Sequence, residues 1–470
     1  MQKQIILLIS LFAIITSANA INFEEFFLNK TMRFDYYHTG NATEEHFAFD
    51  EIVNDGVWPG SKTKLIDELR LGYYLFEIID PKSKEIIYSR GYASIYGEWE
   101  TTPDAKENWG VFHESVRFPW PKNDVNLIIY KRNPKNTFDK IWEYLIDVDA
   151  YRVNPAEIKD FYNVFPVVEN GAPEDMVDIV ILGEGYTKDE MDKFHIDAKR
   201  YADVLLGTEP FASRKDKFNI NAVETPSPNN GVNHPHQDIY KRSALSVSYG
   251  AFNSERYALA YDNKRIRNAA SAVPYEFTVI LMNDSIYGGG GIYRLYITAA
   301  ADNAFYDYLF IHEFGHHFAG LADEYYTSAT AYEMNADIIE PWELNVTAHP
   351  DKETIKWKDL LTSNTPVPTP WEKEKYDEYS IEIQKTRSKM RKAKTPESVM
   401  EKFFIDKRKW DNDLLGNMKY SDCVGAFEGA MYMAEGMYRS AANCIMFTRY
   451  DEFCPACQRA INLVIDQYTE

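Results

Sequence analysis

Within the stretch from Ile311 to Tyr326 the chain reads His312-Glu313-Phe314-Gly315-His316-His317-Phe318-Ala319-Gly320-Leu321-Ala322-Asp323-Glu324. Two histidines four residues apart on an α-helix project from one face, one turn apart, the spacing at which two imidazole nitrogens reach a single zinc ion. Glu313, beside the first histidine, is placed to act as a base toward a metal-bound water rather than as a ligand. A helix running straight on would carry Asp323 about 10 Å beyond His316, out of reach of the same ion. Gly320 can adopt a left-handed conformation, end the helix and return a carboxylate to the metal. Asp323 is the expected third ligand, because a short side chain suits delivery from a tight turn. Glu324, one position on and longer, is the alternative.

These ligands need a helix to carry them and a sheet to seat that helix. The helix is expected to run to about Ala319 with Asp302 as its N-cap. Upstream, Val177–Leu182, Phe218–Val223 and Glu276–Met282 read as short buried strands alternating with helices, the pattern of a mixed α/β sheet. Thr187 and Glu190 form a capping box ahead of one such helix. Gly288–Gly291 lead into a strand-like run, Ile292–Thr298, expected at the sheet edge where an extended peptide could pair with it.

Residues 21–160 are different in character. Leu71–Ile79 and Glu85–Ala93 are strand-like runs separated by the turn signal Asp80-Pro81-Lys82-Ser83-Lys84, and Val125–Tyr130 is another. The abundant aromatics between them suit a β-sandwich core, and no cluster of histidines, cysteines or carboxylates converges here. The fold class is therefore α+β (mixed α/β): an N-terminal β-sandwich over 21–160, then a catalytic domain over 161–470. The latter carries a charged insertion at about 332–418, whose Trp371–Lys394 stretch reads as an exposed helix.

Further motifs carry a resemblance. H-E-x-x-H followed by Gly320 and, two residues beyond it, Asp323 is similar to the metzincin zinc peptidases, with Ala319 and Ala322 where their glycine and third ligand normally fall. The wider wording resembles the secreted zinc metallopeptidases typified by clostridial IgA peptidase. It is joined by Val424–Ala430, Gly436-Met437-Tyr438-Arg439, Asn443-Cys444-Ile445-Met446 and Phe453-Cys454-Pro455-Ala456-Cys457. The resemblance implies a metzincin-like catalytic fold, with Met446 in a tight turn beneath the metal. It also implies a tyrosine that stabilises the oxyanion. The usual position, two residues after the methionine, is Thr448 here, so Tyr438 or Tyr450 is the candidate. Glu428 is a candidate acceptor for an imidazole N–H.

The remaining features bound the setting. A net charge of −21, from 51 basic and 72 acidic residues, argues against nucleic acid or an anionic membrane as partner. Met1–Ala20 has a basic residue, an apolar run too short to span a bilayer and an A-x-A end, the pattern of a cleaved signal peptide. Secretion, or release to a periplasm or cell surface, follows, with no membrane insertion. All four cysteines (Cys423, Cys444, Cys454, Cys457) lie in the last fifty residues, where one or two disulfides are expected after export. His234 and His236 lack an evident third partner and read as a solvated loop, and His317 points away from the ligand face. The expected function is zinc-dependent hydrolysis of protein or peptide substrates, an immunoglobulin among the candidates the family's namesake implies. The alternative is a binding or adhesion protein with a purely structural zinc, which would not need Glu313.

Overall fold

The computed structural model describes residues 21–157, 161–327 and 338–469; the expected signal peptide lies outside them. Two four-stranded sheets form from the N-terminal part. One holds Phe27–Gly40 between Gly110–Pro121 and Glu45–Asn54, with short Val153–Asn154 at its end. The other orders Ile86–Tyr92, Tyr74–Ile79, Val125–Arg132 and Phe138–Ile146. Alternation along the strands sends Phe34, Tyr36 and Phe118 of the first sheet into one core with Phe76, Leu127 and Ile129 of the second. The Asp80 turn closes as its residues dictate: the Asp80 carboxylate accepts the Ser83 N–H at 2.8 Å, its carbonyl accepts the Lys84 N–H at 2.9 Å, and Lys84 takes φ +65°.

The following part centres on a six-stranded sheet in the order Gly289–Ile292, Tyr296–Ala300, Phe277–Met282, Val177–Glu184, Phe218–Val223, Val164–Val168. Its four middle strands run parallel and both outer strands antiparallel. Parallel strands covered on both faces read as continuous apolar runs, which is why Val-Asp-Ile-Val-Ile-Leu from Val177 is buried throughout. The capping box forms as expected, Glu190 accepting the Thr187 N–H at 2.9 Å. One expectation is corrected: Ile292–Thr298 is not a single edge strand, and the glycine run Gly289–Ile292 is itself the edge strand. It turns at 293–295 and pairs back on Tyr296–Ala300. Gly291 is needed there because a Cβ would lie 2.3 Å from the Glu313 carbonyl oxygen.

The helix Tyr306–Ala319 packs on this edge. Its Phe314 and Phe318 join Phe211 and Phe277 in an aromatic cluster. Asp302 is not its N-cap. Asp302 pairs with Lys193 at 3.1 Å, and Asn303 instead accepts the Phe305 N–H at 2.9 Å. Gly320 ends the helix at φ +59°, ψ +38°, as its lack of a Cβ permits. The charged stretch Trp371–Lys394 forms the helix Lys373–Lys392, and a second helix of the insertion, Glu397–Gly416, packs on it.

Buried polar contacts join the two parts. Asp55 binds Arg33 at 2.8 Å, Arg117 at 2.7 Å and the Tyr275 hydroxyl at 3.0 Å. Asp67 receives Arg294 at 3.3 Å and Gln467 at 3.0 Å. Among the described residues no helix is long and apolar enough to cross a membrane.

Candidate metal centre

The left-handed turn at Gly320 reverses the chain so that Leu321–Asp323 return beside the helix face that bears the histidines. Asn345, fully buried, fixes this return: its Oδ1 accepts the Ala322 N–H at 2.9 Å, and its Nδ2 donates to the Ala322 carbonyl at 2.9 Å and to Glu324 Oε1 at 3.0 Å. Asp323 Oδ1 then stands 3.1 Å from His312 Nε2 and 3.2 Å from His316 Nε2, with the two Nε2 atoms 3.2 Å apart. Three ligands each about 2.0–2.1 Å from a tetrahedral ion would be separated by about 3.3 Å.

The rings are oriented for that task. His312 Nδ1 donates to the Ile445 carbonyl at 3.0 Å and His316 Nδ1 to the Leu321 carbonyl at 2.5 Å, leaving each Nε2 lone pair facing the shared point. Asp323 Oδ1 is buried and accepts no hydrogen bond, whereas Oδ2 accepts the Tyr432 hydroxyl. Burial alone would raise the Asp323 pKa, but His316 and His312 hold it well below the carboxylate range. Burial alone would lower that of His316, but Asp323 lifts it to about 9. A doubly imidazole-faced anion with an orphaned oxygen fits a divalent cation.

Met446 lies in a tight turn closed by the Phe447 and Thr448 N–H groups on the Cys444 carbonyl, at 2.9 and 3.0 Å. It packs beneath the helix, where a Cβ on Gly315 would sit 3.1 Å from its Sδ. Glu428 does not contact an imidazole: both Nδ1 atoms are taken by backbone carbonyls, and Glu428 accepts Gly436 N–H at 3.0 Å. Tyr438 bonds to that same carboxylate at 3.3 Å and is not among the residues lining the cavity over the histidines. His317 is buried with both ring nitrogens satisfied, by the Ile292 carbonyl at 2.9 Å and the Thr278 N–H at 3.2 Å; burial drives its pKa to about 3. His234 pairs with Asp284 at 2.8 Å and His236 with Asn253 at 3.2 Å, so the two do not converge on a shared ligand.

The cavity, about 480 Å³, holds His312, Glu313, His316 and Asp323 together with Tyr325, Tyr432, Arg256 and the glycine strand. Its far wall comes from the N-terminal part, through Ser94, Gly97 and Glu98. Burial pushes the Glu98 carboxyl up to about 7 against the bond it accepts from Tyr257 at 2.5 Å. Arg256 Nη2 donates to the Tyr325 hydroxyl at 3.3 Å, and that hydroxyl lies 3.3 Å from Tyr432 Oη. Sequence reasoning missed Tyr325, Tyr432, Arg256 and Glu98. Tyr325 follows the ligand stretch directly and offered a signal; the others come from distant segments with none.

No disulfide forms, correcting that expectation: the four cysteines are thiols. Cys444, Cys454 and Cys457 instead face one another and Glu324.

Residues 165–465 match the family described as IgA Peptidase M64, and residues 22–143 match the one described as Peptidase M64 N-terminus. No curated protein matches the chain.

Proposed function

We propose that this chain, which belongs to the IgA peptidase M64 family of metallopeptidases, is a secreted zinc endopeptidase with Glu313 as its general base. The two facing N-terminal sheets are read as a β-sandwich, and the helix, turn and methionine as a metzincin-like catalytic unit. The observation that carries the reading is the 3.1–3.2 Å triangle of His312 Nε2, His316 Nε2 and Asp323 Oδ1 in a cavity that also holds Glu313. Zinc held by these three residues would supply Lewis-acid chemistry, acidifying a water and polarising the scissile carbonyl.

The protein's own groups do the rest. Glu313 takes a proton from the attacking water and passes it to the leaving amine. Tyr325, polarised by Arg256, is assigned the oxyanion role in preference to Tyr438, because its hydroxyl opens on the cavity. Tyr432 holds Asp323 in orientation through Oδ2. An extended substrate pairs with the glycine strand at Gly291, which borders the cavity; Gly289 is already bridged to Tyr257, its N–H donating to the Arg256 carbonyl at 3.1 Å. The wall bearing Glu98 limits what fits opposite, giving the N-terminal part a share in specificity. Export rests on the Met1–Ala20 pattern, and an immunoglobulin substrate rests only on the family's name.

The test is hydrolysis of unfolded casein by the purified full chain. Cleavage abolished by chelation and restored by zinc is expected; cleavage indifferent to chelation would overturn the reading.

A further inference from the structure

The four ligand-type atoms on the opposite side of the Asp323–Glu324 segment form a second constellation. Cys444 Sγ lies 3.8 Å from Cys457 Sγ. Glu324 Oε1 lies 3.4 Å from Cys457 Sγ and 3.7 Å from Cys454 Sγ. All four residues are buried. A tetrahedral zinc with sulfur at about 2.3 Å and oxygen at about 2.0–2.2 Å sets its sulfurs about 3.8 Å apart and sulfur and oxygen about 3.6 Å apart. The observed separations are those of ligands around one ion.

The surroundings are built for anionic sulfur. Cys444 Sγ accepts the N–H groups of Met446 at 3.5 Å and Cys454 at 3.3 Å, and the Ser440 hydroxyl lies 3.1 Å from Cys454 Sγ. Cys454 and Cys457 bracket the first turn of the helix Pro455–Thr469, where free N–H groups and the helix dipole favour negative charge. Glu324 Oε2 has no hydrogen-bond partner although the residue is fully buried. An isolated carboxylate oxygen in such a place is costly unless a cation faces it.

We propose that Glu324, Cys444, Cys454 and Cys457 form a closed four-ligand structural site for zinc, separate from the histidine site and independent of the peptidase reading. Binding replaces three thiol protons with one divalent ion, and four protein ligands leave no open position for a substrate. The ion cross-links three segments that define the histidine site's floor: the segment carrying Glu324, the Cys444–Met446 turn and the C-terminal helix. Glu324 N–H already bonds to the Met446 carbonyl at 2.8 Å, so the site braces the methionine beneath the histidines. It takes the place of the disulfides expected from the cysteine count.

The experiment is metal analysis and zinc-edge X-ray absorption on the full chain purified without chelator. Two zinc per chain are expected, with a sulfur shell at about 2.3 Å. Asp323→Ala should retain one zinc, now wholly in the sulfur-rich environment. Cys444→Ser should lose that signal, and Cys423→Ser, outside the cluster, should keep it. Should Cys444→Ser fail to fold, the sulfur shell of the wild-type chain and of Asp323→Ala still decides. A wild-type spectrum with nitrogen and oxygen ligands alone overturns the proposal. So does thiol titration of the denatured, unreduced, chelated chain that finds two or more of the four cysteines oxidised.

Discussion

The carboxylates of Asp323 and Glu324, neighbours in the chain, face two different clusters. Asp323 Oδ1 lies 3.1 Å from His312 Nε2, while Glu324 Oε1 lies 3.4 Å from Cys457 Sγ. The short segment that follows the Gly320 turn therefore serves both clusters from adjacent residues. Asp323→Ala should therefore lose the metal of the histidine site at nanomolar free zinc, and Glu324→Ala should keep it. Dialysis against a zinc buffer followed by metal analysis, with the nitrogen- and sulfur-bound ions told apart by X-ray absorption, checks this. The reverse pattern would give the ligand role to Glu324.

Tyr432 reaches the same carboxylate from the far side, donating to Asp323 Oδ2. Removing such an outer partner costs about 10- to 100-fold in metal affinity. Tyr432→Phe should show a loss of that size in chelator competition. Tyr438→Phe, whose hydroxyl bonds to Glu428, should show little change.

Asp55 is the hub between the N-terminal sheets and the central sheet, bound by Arg33, Arg117 and Tyr275. Burial alone would raise its pKa, but Arg33 and Arg117 keep it lowered. Asp55→Ala leaves Arg117 buried without its anion and Arg33 with Asp35 alone at 3.0 Å, and should cost about 3–5 kcal/mol. Denaturant unfolding of the full chain measures it, and a change below about 1 kcal/mol would contradict the assignment.

His38 gives a pH dependence of defined sign. It sits buried between Glu114 at 3.1 Å and Glu45 at 3.0 Å. Burial alone would lower its pKa, but these two carboxylates raise it above the usual value. The folded protein therefore binds this proton more tightly than the unfolded chain. The contribution is complete below about pH 6.5, the unfolded value, and is lost as pH rises through the higher folded one. The difference in Tm between wild type and His38→Gln should be largest in mild acid and shrink toward alkaline pH. A difference growing with pH would refute the charged form.

What could be read from sequence followed from how local the governing physics is. His312, His316 and the Gly320 turn are set within one helix and its cap, so spacing favours Asp323, with Glu324 left as the alternative. The Asp80 turn and the Thr187 capping box are equally local. The glycine strand was misread because glycine has low strand propensity; pairing with Tyr296–Ala300 makes Gly289–Ile292 a strand, and the closeness of the Glu313 carbonyl requires glycine at 291, both tertiary facts. Asn345, part of an Asn-Val-Thr sequence, shows no outward sign that it clamps the ligand turn. Tyr432 and Arg256 meet Tyr325 only once segments 107 and 69 residues away, respectively, have folded. Cys444, Cys454 and Cys457 suggested disulfides because sequence does not show a buried carboxylate arriving between thiols.

The central claim is that Glu313 serves as base while taking no part in holding the metal. Glu313→Gln preserves shape and both imidazoles while removing the basic oxygen. Metal content and peptide turnover should be measured on the same preparation. The expected result is metal content equal to wild type with turnover lowered by about 10² or more. Wild-type turnover in the fully metal-loaded Glu313→Gln protein would contradict the account.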